Sequence, residues 1–119
     1  MKTIGIIGSR SRNSDADFAV VSETFVSIYE FGDCICSGLC PKGGDRFAVL
    51  LAEIYETPVL WFPAQWDLYG KSAGFRRNAD IAHSSDVLIA CVAVNRKGGT
   101  EDTIQKFQQF HPNGIIFIV

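Results

Sequence analysis

Five short runs of β-branched and apolar residues constrain this chain more than any other feature: Thr3 to Ile7, Asp33 to Ser37, Pro58 to Phe62, Asp86 to Val92 and Ile115 to Val119. Each is separated from the next by a segment long enough for a helix. The runs are continuous rather than alternating, as expected for parallel strands covered by helices on both faces. The first helix starts at Ser14 or Asp15, with Asp17 placed to complete a capping box. It buries Phe18, Val21, Phe25 and Ile28 at steps of three and four, and ends at Phe31-Gly32. The second starts at Asp45, presents Phe47, Leu50, Leu51 and Ile54, and stops before Pro58, because the residue ahead of a proline disfavours helix. A third runs from Phe75 to His83 and a fourth from Thr100 to Phe110, leaving Pro63 to Gly74 as a long loop.

Parallel crossovers are right-handed, so this succession predicts a doubly wound α/β fold. It has three layers, α/β/α, around a mainly parallel, Rossmann-like five-stranded sheet ordered 3-2-1-4-5. At 119 residues, 47% of them hydrophobic, the chain suffices for one domain, residues 1 to 119, and is too short for two cores. The longest apolar run, Val87 to Val94, is far short of the roughly 20 residues that cross a bilayer, so no membrane span is expected. The first eight residues reach glycines early and show no small-residue cleavage site, which makes the cytoplasm the expected compartment.

In a sheet of this order, ligands bind outside the carboxyl ends of the strands where the order reverses, here between strands one and four. That selects Gly8 to Ser14 and Asn95 to Thr100. In the first, Gly8, Ser9 and Arg10 offer close backbone approach, a hydroxyl and a charge to a phosphate, although a plain polar turn reads the same way. In the second, Gly98, Gly99 and Thr100 lead into the fourth helix, with Thr100 a natural N-cap. Glu101 and Asp102 suit the dipole there but oppose a phosphate, and Arg96 and Lys97 offset them. Between strand two and its helix, Ser37, Gly38, Lys42, Gly43, Gly44 and Asp45 form another anion-favouring turn, in which Asp45 either caps the helix or takes a ribose hydroxyl. In the long loop, Trp66, Tyr69 and Lys71, followed by Arg76, Arg77 and Asn78, either hold a base and a phosphate or merely pin the loop.

No cofactor is expected: the loop after strand one has one glycine where GxGxxG needs three, and the turn after strand two lacks the GKS or GKT of a nucleoside triphosphatase. No metal is expected either. Cys34 and Cys36 fall inside a buried strand, Cys40 and Cys91 complete the cysteine inventory, and no CxxC or neighbouring His accompanies them. His83 and His111 sit at helix ends, where the dipole favours them.

Taken in order, Gly8-Ser9-Arg10, Ser37-Gly38 with Gly43-Gly44-Asp45, Pro58-Val59 with Phe62-Pro63-Ala64, Trp66-Asp67, Tyr69-Gly70-Lys71, Ala73-Gly74, Arg77-Asn78 and Gly99-Thr100 resemble the SLOG superfamily across nearly the whole chain. The chain looks most like its small stand-alone YspA-like proteins, and more distantly like DprA and the LOG phosphoribohydrolases. The resemblance implies a Rossmann-like fold that binds nucleotides, nucleotide-derived signals or nucleic acid at the loops just selected. LOG enzymes carry a Gly-Gly pair ahead of the matching Gly-Thr and a glutamate three residues past its threonine, where this chain has Arg96-Lys97 and Thr103.

The expectation is therefore a domain that binds a nucleotide-like ligand, with phosphate at the Gly8, Gly43 and Gly99 loops and Arg10, and the base near Trp66. An N-glycosidic hydrolase or transferase is the alternative, with Asp102, or else Asp45, as the catalytic acid. Single-stranded nucleic acid is the third reading. It is disfavoured by the net charge of -2, and would need a groove made of Arg10, Arg12, Lys71, Arg76, Arg77, Arg96 and Lys97. A homo-oligomer is expected from the exposed sheet edges of so small a domain, with Ile104, Phe107 and Phe110 as the contact.

Overall fold

A computed structural model describes all residues from Met1 to Val119. Strands β1 (Thr3–Gly8), β2 (Cys34–Ser37), β3 (Val59–Trp61), β4 (Val87–Cys91) and β5 (Ile115–Ile118) form one sheet ordered β3-β2-β1-β4-β5, every pair parallel. The predicted order is the observed one. β1 and β4 share the longest register, from Ile4 opposite Val87 to Gly8 opposite Cys91, and so end level with each other.

Successive side chains point to opposite faces, and each face meets its own pair of helices. Ile4, Ile6, Ile35, Val87 and Ile89 pack with Val21 and Phe25 of α1 (Asp15–Ile28) and with Phe47, Ala48 and Leu51 of α2 (Gly44–Tyr55). Ile7, Cys36, Leu88, Ala90 and Val92 pack with Ile81 and Ala82 of α4 (Ala73–Ser84) and with Ile104 and Phe107 of α5 (Gly99–Phe110). The predicted capping box is present: the Asp17 amide donates to Ser14 Oγ and the Ser14 amide to Asp17 Oδ2. No helix is long and apolar enough to cross a membrane.

Four expectations change. The segment from Pro63 to Gly74 is largely helical, with a single turn α3 (Trp66–Tyr69), a 3-10 turn (Gly70–Ser72) and the start of α4; these turns are too short to show a period. Ile54 lies past the covered stripe of α2 and is exposed. Thr100 does not cap α5, because Gly98 at φ 108° turns the chain into the helix first and no side chain caps it. Ile104 and Phe107 face the sheet, so of the expected oligomer contact only Phe110 is exposed.

At the opposite end of the sheet from the switch-point loops, Asp33 is 2% exposed and accepts from Lys2 Nζ (2.6 Å) and from the amides of Lys2 and Glu30 (both 2.9 Å). Burial pushes this carboxyl up, but the Lys2 ammonium and the two amides outweigh burial and hold it at about 2. Because that lies below the roughly 3.9 of an unfolded aspartate, the stabilisation is complete above about pH 4 and is lost as pH falls through about 2. Replacing Asp33 by Asn should therefore cost about 1 to 3 kcal/mol at pH 7. Urea unfolding should show the gap between Asp33→Asn and wild type narrowing at pH 3; a gap that widened there would contradict this account.

Candidate functional site

The carboxyl ends of β1, β2 and β4 open into a cavity of about 330 Å³. Four chain segments close it: the β1–α1 loop, the β2–α2 turn, the middle of α4 and the start of α5. Of the residues predicted for a ligand, Gly8, Ser9, Arg10, Asp45, Arg77, Asn78, Gly98, Gly99 and Thr100 line it. The two loops selected by the strand order face each other across it. Lys97, expected only to offset the acids of α5 or to join a nucleic-acid groove, lines it as well, and so do Ile7, Cys40, Ile81 and Thr103, which were not among the expected binding residues.

A polar chain runs along one wall. Asp45 accepts from Ser37 Oγ at 2.8 Å and from the Cys40 amide at 2.9 Å, and lies 3.8 Å from Arg77 Nη1. Asp45 is therefore neither the N-cap, which is Gly43, nor a free acid. Arg77 donates to the Gly38 carbonyl and to Asn78 Oδ1, and Asn78 Nδ2 donates to the Gly99 carbonyl and to Asp102. These bonds tie the β2–α2 turn to α4, and α4 to the start of α5.

The other predicted residues lie outside the cavity lining. The Ser37 hydroxyl is spent on Ile6 O and Asp45, and Gly38 is covered by Arg77. Gly43 and Gly44 are packing glycines: the Gly43 amide donates to Asn13 Oδ1, and Gly44 sits against the backbone of Ile7 and Gly8. Trp66 and Lys71 are exposed on the helical segment after β3, where the Trp66 ring is the nearest neighbour of Gly74. A base on Trp66 would sit outside the cavity. Asp102 is held by Lys106 at 2.7 Å and by the wall residue Asn78 at 3.1 Å, and does not itself line the cavity.

The charges sort into spent and unspent. Lys2 pairs with Asp33, Arg12 with Asp17, Arg96 with Glu101 and Lys106 with Asp102. Arg46 is bonded to Asn13, Arg76 to Ser72 and Arg77 to Gly38. The side chains of Arg10, Lys42, Lys71 and Lys97 have no hydrogen-bond or salt-bridge partner, and Arg10 and Lys97 line the cavity. Asp45 is the one carboxylate in its wall. The Arg96–Glu101 pair, two bonds of 2.9 Å, and the Lys106–Asp102 pair neutralise both acids in the first turn of α5. The positive end of that helix dipole thus reaches the cavity with little opposition.

Several of the cations named for a nucleic-acid groove are engaged within the fold. Arg12 is bound to Asp17 and to the carbonyls of Val92 and Val119, Arg76 lies 4.3 Å over the Tyr69 ring, and Arg96 is paired. The cysteines fall in different settings. Burial pushes the Cys36 thiol up to about 12 and raises Cys91 as well, which disfavours the thiolate of both, whereas Cys40 is half-buried at the cavity wall. Comparison with family models, curated proteins and solved structures returned no match in any of the three.

Proposed function

We propose that this protein is a SLOG-type binding domain for a nucleotide or a nucleotide-derived ligand, held by its phosphate in the cavity at the switch point. One observation carries the reading: in a chain of net charge -2, cations without partners gather at this cavity beside an uncapped helix start. Anions bind at such helix starts through free amides and the dipole, and a guanidinium adds charge-assisted bonds. The cavity lies at the lower end of the roughly 300 to 1,000 Å³ common for small-molecule sites. Asp45, already an acceptor for two donors, is placed to take a further bond from a sugar hydroxyl.

Glycosidic cleavage is the weaker reading. A general acid must reach the leaving base with a proton to give: Asp102 is not in the cavity lining and is paired to Lys106, and Asp45, which is in the lining, already accepts from Ser37 Oγ and the Cys40 amide. Replacing Asp102 by Asn should lower stability by about 0.5 to 1 kcal/mol through the lost pair with Lys106. Nucleotide affinity should change less than twofold. Incubation of wild-type protein with nucleoside monophosphates, followed by chromatography for free base, should return the nucleotides intact. Base release that vanished in Asp102→Asn would overturn the binding-only reading.

A further inference from the structure

Beside the first cavity lies a second, of about 420 Å³, lined by Arg10, Ser11, Cys40, Pro41 and Lys42. Arg10 and Cys40 belong to both walls, so the two are lobes of one cleft with the Arg10 side chain between them. The lobes differ in chemistry. The first holds Asp45, Thr100 and the start of α5, groups that suit a sugar and a phosphate together. The second contains no carboxylate and no aromatic ring; its polar side chains are two cations and a serine hydroxyl.

Neither cation of the second lobe is used by the fold. Lys42 and Arg10 make no hydrogen bond or salt bridge, although most of the lysines and arginines of the chain do. The Ser11 hydroxyl is oriented by Ser9 Oγ at 2.7 Å, and the Ser11 amide by the same oxygen at 3.2 Å. A lobe with no ring to stack on and no acceptor carboxylate is poorly suited to a base. It is well suited to a second anion. Arg10 can serve both lobes at once, because a guanidinium carries five N–H donors in a fork and can bond oxyanions on two sides.

We infer that the ligand is a nucleotide carrying two phosphate groups, one in each lobe, with Arg10 between them, Lys97 beside the first and Lys42 beside the second. This rests on the nucleotide reading above and adds to it the phosphate count of the ligand. A nucleoside monophosphate would occupy the first lobe and leave Lys42 unmatched.

The test is calorimetric titration of the full chain and of its Lys42→Glu variant at low salt. The probes are adenosine and guanosine 5′-monophosphates, 5′-diphosphates and 3′,5′-bisphosphates. At least one two-phosphate nucleotide should bind about tenfold or more tightly than its monophosphate. Lys42→Glu should remove most of that advantage while weakening monophosphate binding by a much smaller factor, set only by the longer-range change in charge. Lys42 is exposed and bonded to nothing, so the variant should keep the wild-type circular dichroism; Lys42→Ala, which removes the charge without reversing it, should show the same selective loss to a smaller degree. Monophosphates binding as tightly as the two-phosphate compounds, or Lys42→Glu weakening all of them equally, would overturn the second subsite and leave the nucleotide reading standing. Failure of every probe to bind would overturn both.

Discussion

Replacing Gly44 by Ala is expected to destabilise this protein by about 3 kcal/mol or more, a large share of the roughly 5 to 15 kcal/mol that holds a domain together. Gly44 opens α2 directly against the end of β1. A Cβ there would press on the Ile7 carbonyl carbon and the Gly8 amide nitrogen and would lie 2.6 Å from the Ile7 oxygen. All three atoms are backbone, so no side-chain rotation relieves the clash, and α2 has to move away from the sheet. That displacement would carry Asp45 with it and open the cavity wall. Gly99 makes the comparison: a Cβ there meets only Asn78 Nδ2, at 3.7 Å, which is ordinary contact. Gly99→Ala should stay within about 1 kcal/mol of wild type. Urea midpoints for the two variants check both, and a Gly44→Ala midpoint equal to wild type would contradict the packing described for α2.

The fold was legible because its signals are redundant. Five apolar runs at helix-length spacing, together with right-handed crossovers, leave few sheet orders, and the burial on both faces of β1 and β4 explains why those runs do not alternate. The place of the cavity followed from the strand order alone. What a side chain does there was harder to read, because that depends on which partner takes each charge. Arg96 and Lys97 are adjacent and alike in sequence, yet Arg96 adopts φ 54° and turns back onto Glu101, while Lys97 is left facing the cavity. Glycines are ambiguous in a similar way. Gly43 and Gly44 look like a phosphate turn, but the sequence does not say what a missing Cβ makes room for, and here it is the β1–α1 loop for Gly43 and the end of β1 for Gly44.

Cys40 carried no periodic signal, since its place follows from the left-handed turn at Leu39, φ 64°, and from its amide bond to Asp45. Asp102 is different, because its partner Lys106 stands four residues on in a helix. That spacing is visible in the sequence and already offers Asp102 a partner within its own helix.

Arg10 carries the central claim. Its guanidinium is exposed, bonds to nothing in the fold and stands between the two lobes of the cleft, so its removal should cost binding and not stability. A charge-assisted contact to phosphate contributes about 1.5 to 3 kcal/mol, so Arg10→Ala should weaken nucleotide binding roughly tenfold to a hundredfold. Arg12, two residues along, should behave in the opposite way. Its guanidinium is spent on Asp17 at 2.6 Å and on the Val92 and Val119 carbonyls, so Arg12→Ala should lower the melting temperature and leave affinity nearly intact. Calorimetric titration of wild type, Arg10→Ala and Arg12→Ala with the same nucleotide, beside thermal unfolding of each, is the most direct measurement. The predicted result is saturable binding lost in Arg10→Ala at an unchanged melting temperature. Binding that survived Arg10→Ala unaltered would contradict the assignment of this cleft as the phosphate site.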